Sequence, residues 1–376
     1  MTKISIGDIC RFEYGKSLPD KTRKPGDAAV YGSNGPVGIH QRGFTSGQTI
    51  IIGRKGSIGE VHLSPASCWP IDTTYFIDES CTECDLEWLA YALRHLNLGA
   101  LNKASGVPGL NRDDAYKKLI SWPRDRVEQR QIAARLKAQL AEVETARQAA
   151  QVQLSDTRLL RTRMLKAFFA ELDAAPKKKL GDHAPTTSGS TPSRGNKQYW
   201  QPAEIAWVKT GEVAFAPITT TEEAISSKAL AECSLSLLPP KTILLAMYGQ
   251  GKTRGQSAIL EIPATTNQAC FAILPNETWE PDFLHLWLKA SYQDLRDLSE
   301  DRGGNQANLN GALLKALEVP APSKTEQQQL VAQIQAAMTE IDAIESASKT
   351  ALKDIDRLPS RVLAQAFGQQ ENDYDG

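Results

Sequence analysis

The 376-residue chain has little of what marks several common function classes. No apolar stretch approaches the roughly 20 residues that cross a membrane. The start of the chain has no basic segment leading into an apolar one, so the expected compartment is the cytoplasm, with no membrane partner. Six cysteines suit that compartment as reduced thiols. Neither charge is in excess: 43 Lys and Arg face 44 Asp and Glu, a net charge of -1, which argues against a surface coated all over by nucleic acid. No glycine-rich dinucleotide fingerprint joins a strand to a helix. No Asn-Pro-Pro-Phe or Asp-Pro-Pro-Tyr run is present to hold a flipped amino group for methylation. Catalysis is therefore not expected of this chain.

What is present is a duplication. The stretch from Trp122-Pro123 through Glu128-Gln129 to Ile132 returns as Val319-Pro320 through Glu326-Gln327 to Leu330, the helical part 198 residues later and the proline turn 197. Each copy runs from a proline turn into a long helical pattern, and the two patterns close alike, Arg163 to Phe169 against Arg361 to Phe367. A repeat of this size means two pseudo-equivalent halves.

From about Asp125 to Leu172 there is neither proline nor glycine, and a partly polar row recurs at spacings of three and four: Leu136, Leu140, Val143, Arg147, Ala150, Leu154, Thr157, Arg161, Met164 and Phe168. The second copy keeps the register: Ile334, Met338, Ile341, Glu345, Ser348, Leu352, Ile355, Pro359, Val362 and Ala366. A helix of about 40 residues is roughly 60 Å long, more than a small domain uses, so the two helices are expected to pair, antiparallel, as a coiled coil. Pro359 lacks an N–H and should kink or restart the second helix. The Glu and Gln at the two helix starts suit capping of the first turn.

The preceding segments read as strands and turns. Apolar runs at Thr49–Ile52, Thr74–Ile77, Thr242–Ala246 and Cys270–Leu274 lie between Gly, Pro, Asn and Ser clusters. One helix follows in each half, at Leu86–Leu93 and Asp282–Leu288. The fold class is thus α+β with a pseudo-two-fold internal repeat: two globular α+β domains, 1–123 and 175–322, separated by long spacer helices at 124–174 and 323–370. Outside this skeleton the halves diverge, for example after Gly15 and after Gly189.

Two motifs invite sharper readings. Thr242 to Thr253 ends in Gly251-Lys252-Thr253 after a strand, but a phosphate-binding loop needs a glycine where Ala246 stands and a helix opening at Lys-Thr. The following Arg254 to Leu260 reads as a turn and another strand. Cys81-Thr82-Glu83-Cys84 has the spacing of half a zinc site, yet only Cys68 and His62 lie near in sequence and neither has paired spacing, so no metal is expected.

Positive charge is concentrated instead: residues 11–55 hold eight Lys or Arg against three acids, and residues 72–87 hold six acids and no base. Loops that combine cations, amides and hydroxyls on glycine-rich backbone suit DNA, because Arg and Lys meet guanine edges or phosphates and Asn and Gln pair with adenine. In the first half these are Lys16, Tyr31, Asn34, His40, Gln41, Arg42, Arg54, Lys55, Ser57, Lys103, Asn111 and Arg112. In the second they are Arg194, Asn196, Lys197, Lys209, Thr210, Tyr248, Gln250, Lys252, Thr253, Arg254, Arg302, Asn305, Gln306 and Asn308.

The order of these features resembles the specificity subunit of type I restriction-modification systems. The matching elements are Lys3-Ile4-Ser5-Ile6-Gly7-Asp8-Ile9 and Lys178-Lys179-Leu180-Gly181-Asp182 at the starts of the halves, Gly53 to Gly59 and Tyr248 to Gly255 after a strand, the Glu-Gln pairs opening the helices, and Leu358 to Gly368 near the end. The resemblance implies two target recognition domains, each reading half of a bipartite, asymmetric sequence in double-stranded DNA. It implies helices that fix the gap and dock two methyltransferase subunits, and through them restriction subunits. It also implies that this chain binds no cofactor, S-adenosylmethionine, ATP and Mg belonging to the partner subunits. The rival readings are a coiled-coil adaptor whose globular parts bind protein and a nucleotide-binding enzyme built on Gly251-Lys252-Thr253.

Overall fold

A computed structural model describes residues 2–101, 109–172, 174–249, 251–300 and 308–368. The chain forms two compact units: Met1–Val152 with Ser348–Gly376, and Gln153–Ala347. Each unit therefore takes part of both long helices, which run Arg126–Ala170 and Lys324–Phe367.

In the first unit, β-branched runs build an antiparallel four-stranded sheet in the order Glu13–Tyr14, Thr74–Ile77, Thr49–Gly53, Val61–Ser64. Both faces of the central strand are covered. Ile50 and Ile52 meet Trp88 and Leu89 of the helix Leu86–His95, while Ile51 points the other way, to Tyr31 and Cys68. Tyr31 belongs to a three-stranded sheet ordered Gly35–His40, Ala28–Gly32, Trp69–Pro70. Thr2–Ser5 pairs with Leu119–Trp122, so the start of the chain lies against the strand that leads into the first long helix.

The second unit repeats this topology. Its four-stranded sheet is ordered Thr186–Ser188, Cys270–Ile273, Ile243–Ala246, Ser257–Ile259; its three-stranded sheet Glu223–Ile225, Ile205–Val208, Thr265–Thr266; and Lys177–Lys179 pairs with Glu318–Pro320. Phe283, Leu284 and Leu288 of the helix Pro281–Ala290 cover Ile243, Leu245 and Phe271. The divergence read after Gly15 and Gly189 is thus one of sequence and not of strand order. Those two glycines are equivalent and needed for the same reason. A Cβ on Gly15 would stand 2.0 Å from the Ile71 carbonyl oxygen, and one on Gly189 would stand 1.8 Å from that of Thr266. The helix Tyr292–Glu300 is an addition that the sequence reading did not include.

All twenty positions of the two helical rows are buried or half-buried. Within the first unit, Ile132, Ala133 and Leu136 near the start of the first long helix share a core with Leu363 and Phe367 at the end of the second. Within the second, Leu165 and Phe169 share a core with Leu330 and Ile334, so the pairing is antiparallel in each unit. The polar members of the row are used as well. Arg161 forms ion pairs with Asp342 and with Glu345, the latter at 3.0 Å, and Arg158 reaches Glu345 at 3.5 Å. The repeat-equivalents of Arg161 and Glu345 are Pro359 and Arg147, so the first unit has no such pair at that place. The helix does not restart at Pro359: it is continuous through it, because Leu363 and Phe367 in the next two turns are anchored in the core.

The duplicated Glu-Gln pair does more than cap. Glu326 does cap: its carboxylate accepts from the Ser323 N–H and hydroxyl at 2.8 and 2.7 Å, which holds its pKa below the usual carboxylate range. The glutamines, however, are buried latches. Gln129 accepts from the Asp85 N–H at 2.7 Å and donates to the Pro123 carbonyl at 2.8 Å; Gln327 accepts from the Glu280 N–H at 2.8 Å and donates to the carbonyls of Thr278 and Pro322, both at 2.9 Å. Each ties the start of a long helix to the start of the helix that covers the sheet. Gln129→Ala or Gln327→Ala strands the partner groups and is expected to destabilise its own unit by about 1–3 kcal/mol. Denaturant unfolding of the single variants checks this; unchanged midpoints would show that water replaces the latch.

Candidate functional site

In the first unit the candidate residues fall into two neighbouring surfaces and one misplacement. Lys16 lays its ammonium 4.5 Å from the Phe44 ring centre, Phe44 and His40 both stand edge-on to Trp69, and the Trp69 indole donates to the Lys16 carbonyl at 2.8 Å. His40 Nδ1 accepts from the Lys24 N–H at 3.1 Å. Asn34, in the hairpin turn, and Gln41 and Arg42 after it are exposed. Tyr31 is not on this surface: it is 7% exposed and packs with Ile51 and Cys68, where its strand shifts register between Val30 and Tyr31.

The second surface gathers residues far apart in sequence. Arg54 follows the central strand, Arg112 opens the short helix Arg112–Tyr116, and the Leu110 N–H donates to the Arg54 carbonyl at 2.9 Å, holding the two segments together. Both guanidinium groups lie on the ring of Tyr14, at 5.4 and 5.5 Å from its centre. Arg54 also faces Tyr75 at 5.9 Å and Arg112 faces Tyr116 at 5.8 Å. Burial, with Tyr14 beside it, pushes the Tyr75 phenol up to about 12. Lys55 beside them is exposed and Ser57 half-buried, in a turn where Gly56 has φ 77° and Gly59 has φ 76°. Asn111 faces another task, accepting from the N–H groups of Asp113 and Asp114 as a helix cap. Lys103 lies outside the described residues.

In the second unit several candidates are committed to protein partners. Arg194 lies 3.9 Å over the Trp200 ring and pairs with Glu223, while Lys209 reaches Glu222 at 2.5 Å and Glu223 at 3.2 Å. Asn196 caps a single helical turn that begins at Lys197, and the Thr210 hydroxyl donates to Asn267 at 2.9 Å. Arg254 is only 7% exposed, its carbonyl accepting from Arg296 at 3.1 Å. Tyr248, Lys252 and Asn308 are exposed, Thr253 is half-buried, and Tyr292 donates to the Lys252 carbonyl at 2.7 Å. Gln250, Arg302, Asn305 and Gln306 lie outside the described residues.

The Gly-Lys-Thr segment does not form a phosphate cradle. After the strand Ile243–Ala246 the chain turns at Gly251 and Gly255, with φ 70° and 86°, and returns as the antiparallel strand Ser257–Ile259; the Gly255 N–H donates to the Ala246 carbonyl at 2.9 Å. No helix opens at Lys252, where the chain turns into the strand Ser257–Ile259 instead, and the nucleotide-binding reading is set aside. Cys81 and Cys84 are free thiols buried with Cys10 in the first core, and burial pushes all three thiols up. Among the described residues no three His, Cys, Asp or Glu side chains are placed to hold a metal ion, and no helix is long and apolar enough to cross a membrane.

Tyr14, Tyr75, Tyr116 and Trp69 in the first unit, and Tyr292 and Arg296 in the second, were missed from sequence. All are aromatic or cationic residues in strands and helices, with no spacing that sets them apart from core residues.

Comparison with known proteins agrees with this duplication. The family model described as the type I restriction modification DNA specificity domain matches residues 1–153 and 175–354. The type I restriction enzyme MjaIX specificity subunit of Methanocaldococcus jannaschii is 35% identical over 158 residues, 41% of this chain and 35% of that protein. The EcoR124I/EcoR124II specificity subunit of Escherichia coli is 24% identical over 155 residues, 41% of this chain and 38% of that protein. The matched segments thus span little more than a third of each relative's length. Among solved structures, the HsdS subunit from Thermoanaerobacter tengcongensis shares the fold with a TM-score of 0.62 at 18% identity, over 98% of this chain and 96% of that one. A chain from a structure described as the basis of complex assembly and conformational transition of the type I R-M system gives 0.70 at 16% identity, over 97% of both.

Proposed function

Because the chain belongs to the type I restriction-modification DNA specificity family, we propose that it selects the DNA target for a modification complex without catalysing a reaction itself. The observation that carries this reading is the repeated topology with unlike surfaces: equivalent strands and glycines support Arg54, Lys55 and Arg112 in one unit and Tyr248 and Lys252 in the other. Two similar scaffolds with different cation and amide sets suit two different half-sites, hence a bipartite and asymmetric sequence in double-stranded DNA. The long helices present charged outer faces, to which two methyltransferase subunits dock, with restriction subunits joining through them. S-adenosylmethionine, ATP and Mg serve those subunits.

The test is to co-express the chain with its neighbouring methyltransferase and map methylated adenines across the host genome. The expected result is one two-part motif, modified on both strands, that disappears when the chain is omitted. Methylation that persists unchanged without it would overturn the proposal, and so would methylation that follows no motif.

A further inference from the structure

We infer that Arg54 and Arg112, laid on the ring of Tyr14, form a two-guanidinium clamp for a single phosphodiester of the DNA backbone, an inference that rests on the DNA-recognition reading above. Two like charges within 5.5 Å of one ring centre repel each other, and the attraction of the ring for each offsets that only in part. Among the described residues no carboxylate pairs with either arginine. Arg54 donates from Nη2 to the Asp72 carbonyl at 2.7 Å and Arg112 from Nη1 to the Phe12 carbonyl at 3.4 Å, while the enclosed Nε of each has no partner. Glu13, the acid next to Tyr14, is taken by Arg11 at 2.6 Å. Among the described residues, then, no anion is supplied to the two positive charges of the pair.

The shape of the site selects the ligand. Tyr14 is 50% exposed, so its ring is reached from solvent. A base edge offers its acceptors to the fork of one arginine, whereas two guanidinium groups within 5.5 Å of one ring centre bring two charges that the two unesterified oxygens of a phosphodiester can share. The arrangement is held from beneath: the Tyr116 hydroxyl accepts from the Phe12 N–H at 2.7 Å and the Tyr75 hydroxyl donates to the Leu110 carbonyl at 3.1 Å. Tyr14 is thus a positioning residue, and the arginines are the groups that would touch DNA.

The experiment uses the full chain assembled with its modification subunits and measures affinity against salt for the mapped target and for a scrambled duplex. Arg54→Gln and Arg112→Gln are each expected to weaken both duplexes by the same factor, roughly tenfold, and to lower the salt slope by about one. Arg54→Lys should keep the slope, and Tyr14→Ala, which removes the ring under both groups, should weaken both duplexes alike while Tyr14→Phe, which keeps the ring, restores them. Relaxed discrimination at one base pair with an unchanged slope would make the arginine a base reader and overturn the clamp. Native affinity and slope in both glutamine variants would also overturn it. Failure of the unsubstituted complex to bind DNA would instead remove the target-recognition reading, and the clamp with it. Unfolding midpoints taken in parallel separate lost contacts from lost structure.

Discussion

Replacing Phe367 with alanine is expected to destabilise the first unit by about 3–5 kcal/mol, although the residue lies almost at the far end of the sequence. Phe367 is 5% exposed, packs edge-on against Trp88 at 6.0 Å between ring centres and stacks on His95 at 5.7 Å. Its repeat-equivalent Phe169, 7% exposed, packs edge-on against Phe283 at 5.5 Å in the second unit. Trp88 and Phe283 occupy matching places in the helices that cover the two sheets. Each unit is therefore completed by the last turn of the long helix that does not begin in it. Hydrogen exchange reads the effect locally. Phe367→Ala should expose amides of Thr49–Gly53, and Phe169→Ala should expose those of Ile243–Ala246. Equal loss of protection in both strands from either variant would contradict the assignment of one helix end to each unit.

Acid should weaken the second unit through His285. Burial, reinforced by the positive charge of Lys289, pushes the imidazole down to about 4, and its Nδ1 lies 3.1 Å from the hydroxyl of the buried Ser257. The unfolded chain titrates near the ordinary histidine value of about 6.5. Between those values the unfolded state binds a proton that the folded state refuses, so stability is full above about pH 6.5 and falls as the pH drops toward 4. The loss approaches about 3 kcal/mol at the lower end. Unfolding midpoints at pH 7.5 and 4.5, compared between the native chain and His285→Gln, isolate this contribution, because carboxylates that titrate in the same range act in both proteins. An equal acid loss in the variant would show that His285 is not its source.

Much of the scaffold was legible because it is written locally. The rows at helical spacing, the β-branched runs between glycines and the repeat at 198 residues are properties of short stretches, and the structure places helices and strands on them. The candidate surface was legible only in part. Arg54, Lys55 and Arg112 were found by their type, yet nothing in the sequence brings residues 54 and 112 to the ring of Tyr14. Tyr31 and Arg254 were misplaced because tyrosine and arginine serve cores and surfaces alike, and only the folded surroundings decide which. Arg194, Lys209, Asn111 and Asn196 have the chemistry of DNA contacts, but ion pairs and helix caps already engage them.

Local pattern alone makes this protein a duplication built from two α+β halves and two long helices, since hydrophobic periodicity is set by which residues must leave water. Tertiary structure alone decided that Phe367 completes the first half and Phe169 the second, that Gln129 and Gln327 latch helices together from inside, and that two arginines share one tyrosine. Those pairings join residues far apart along the chain. They arise only when closing the fold brings such residues within bonding distance, and no local pattern records that closure.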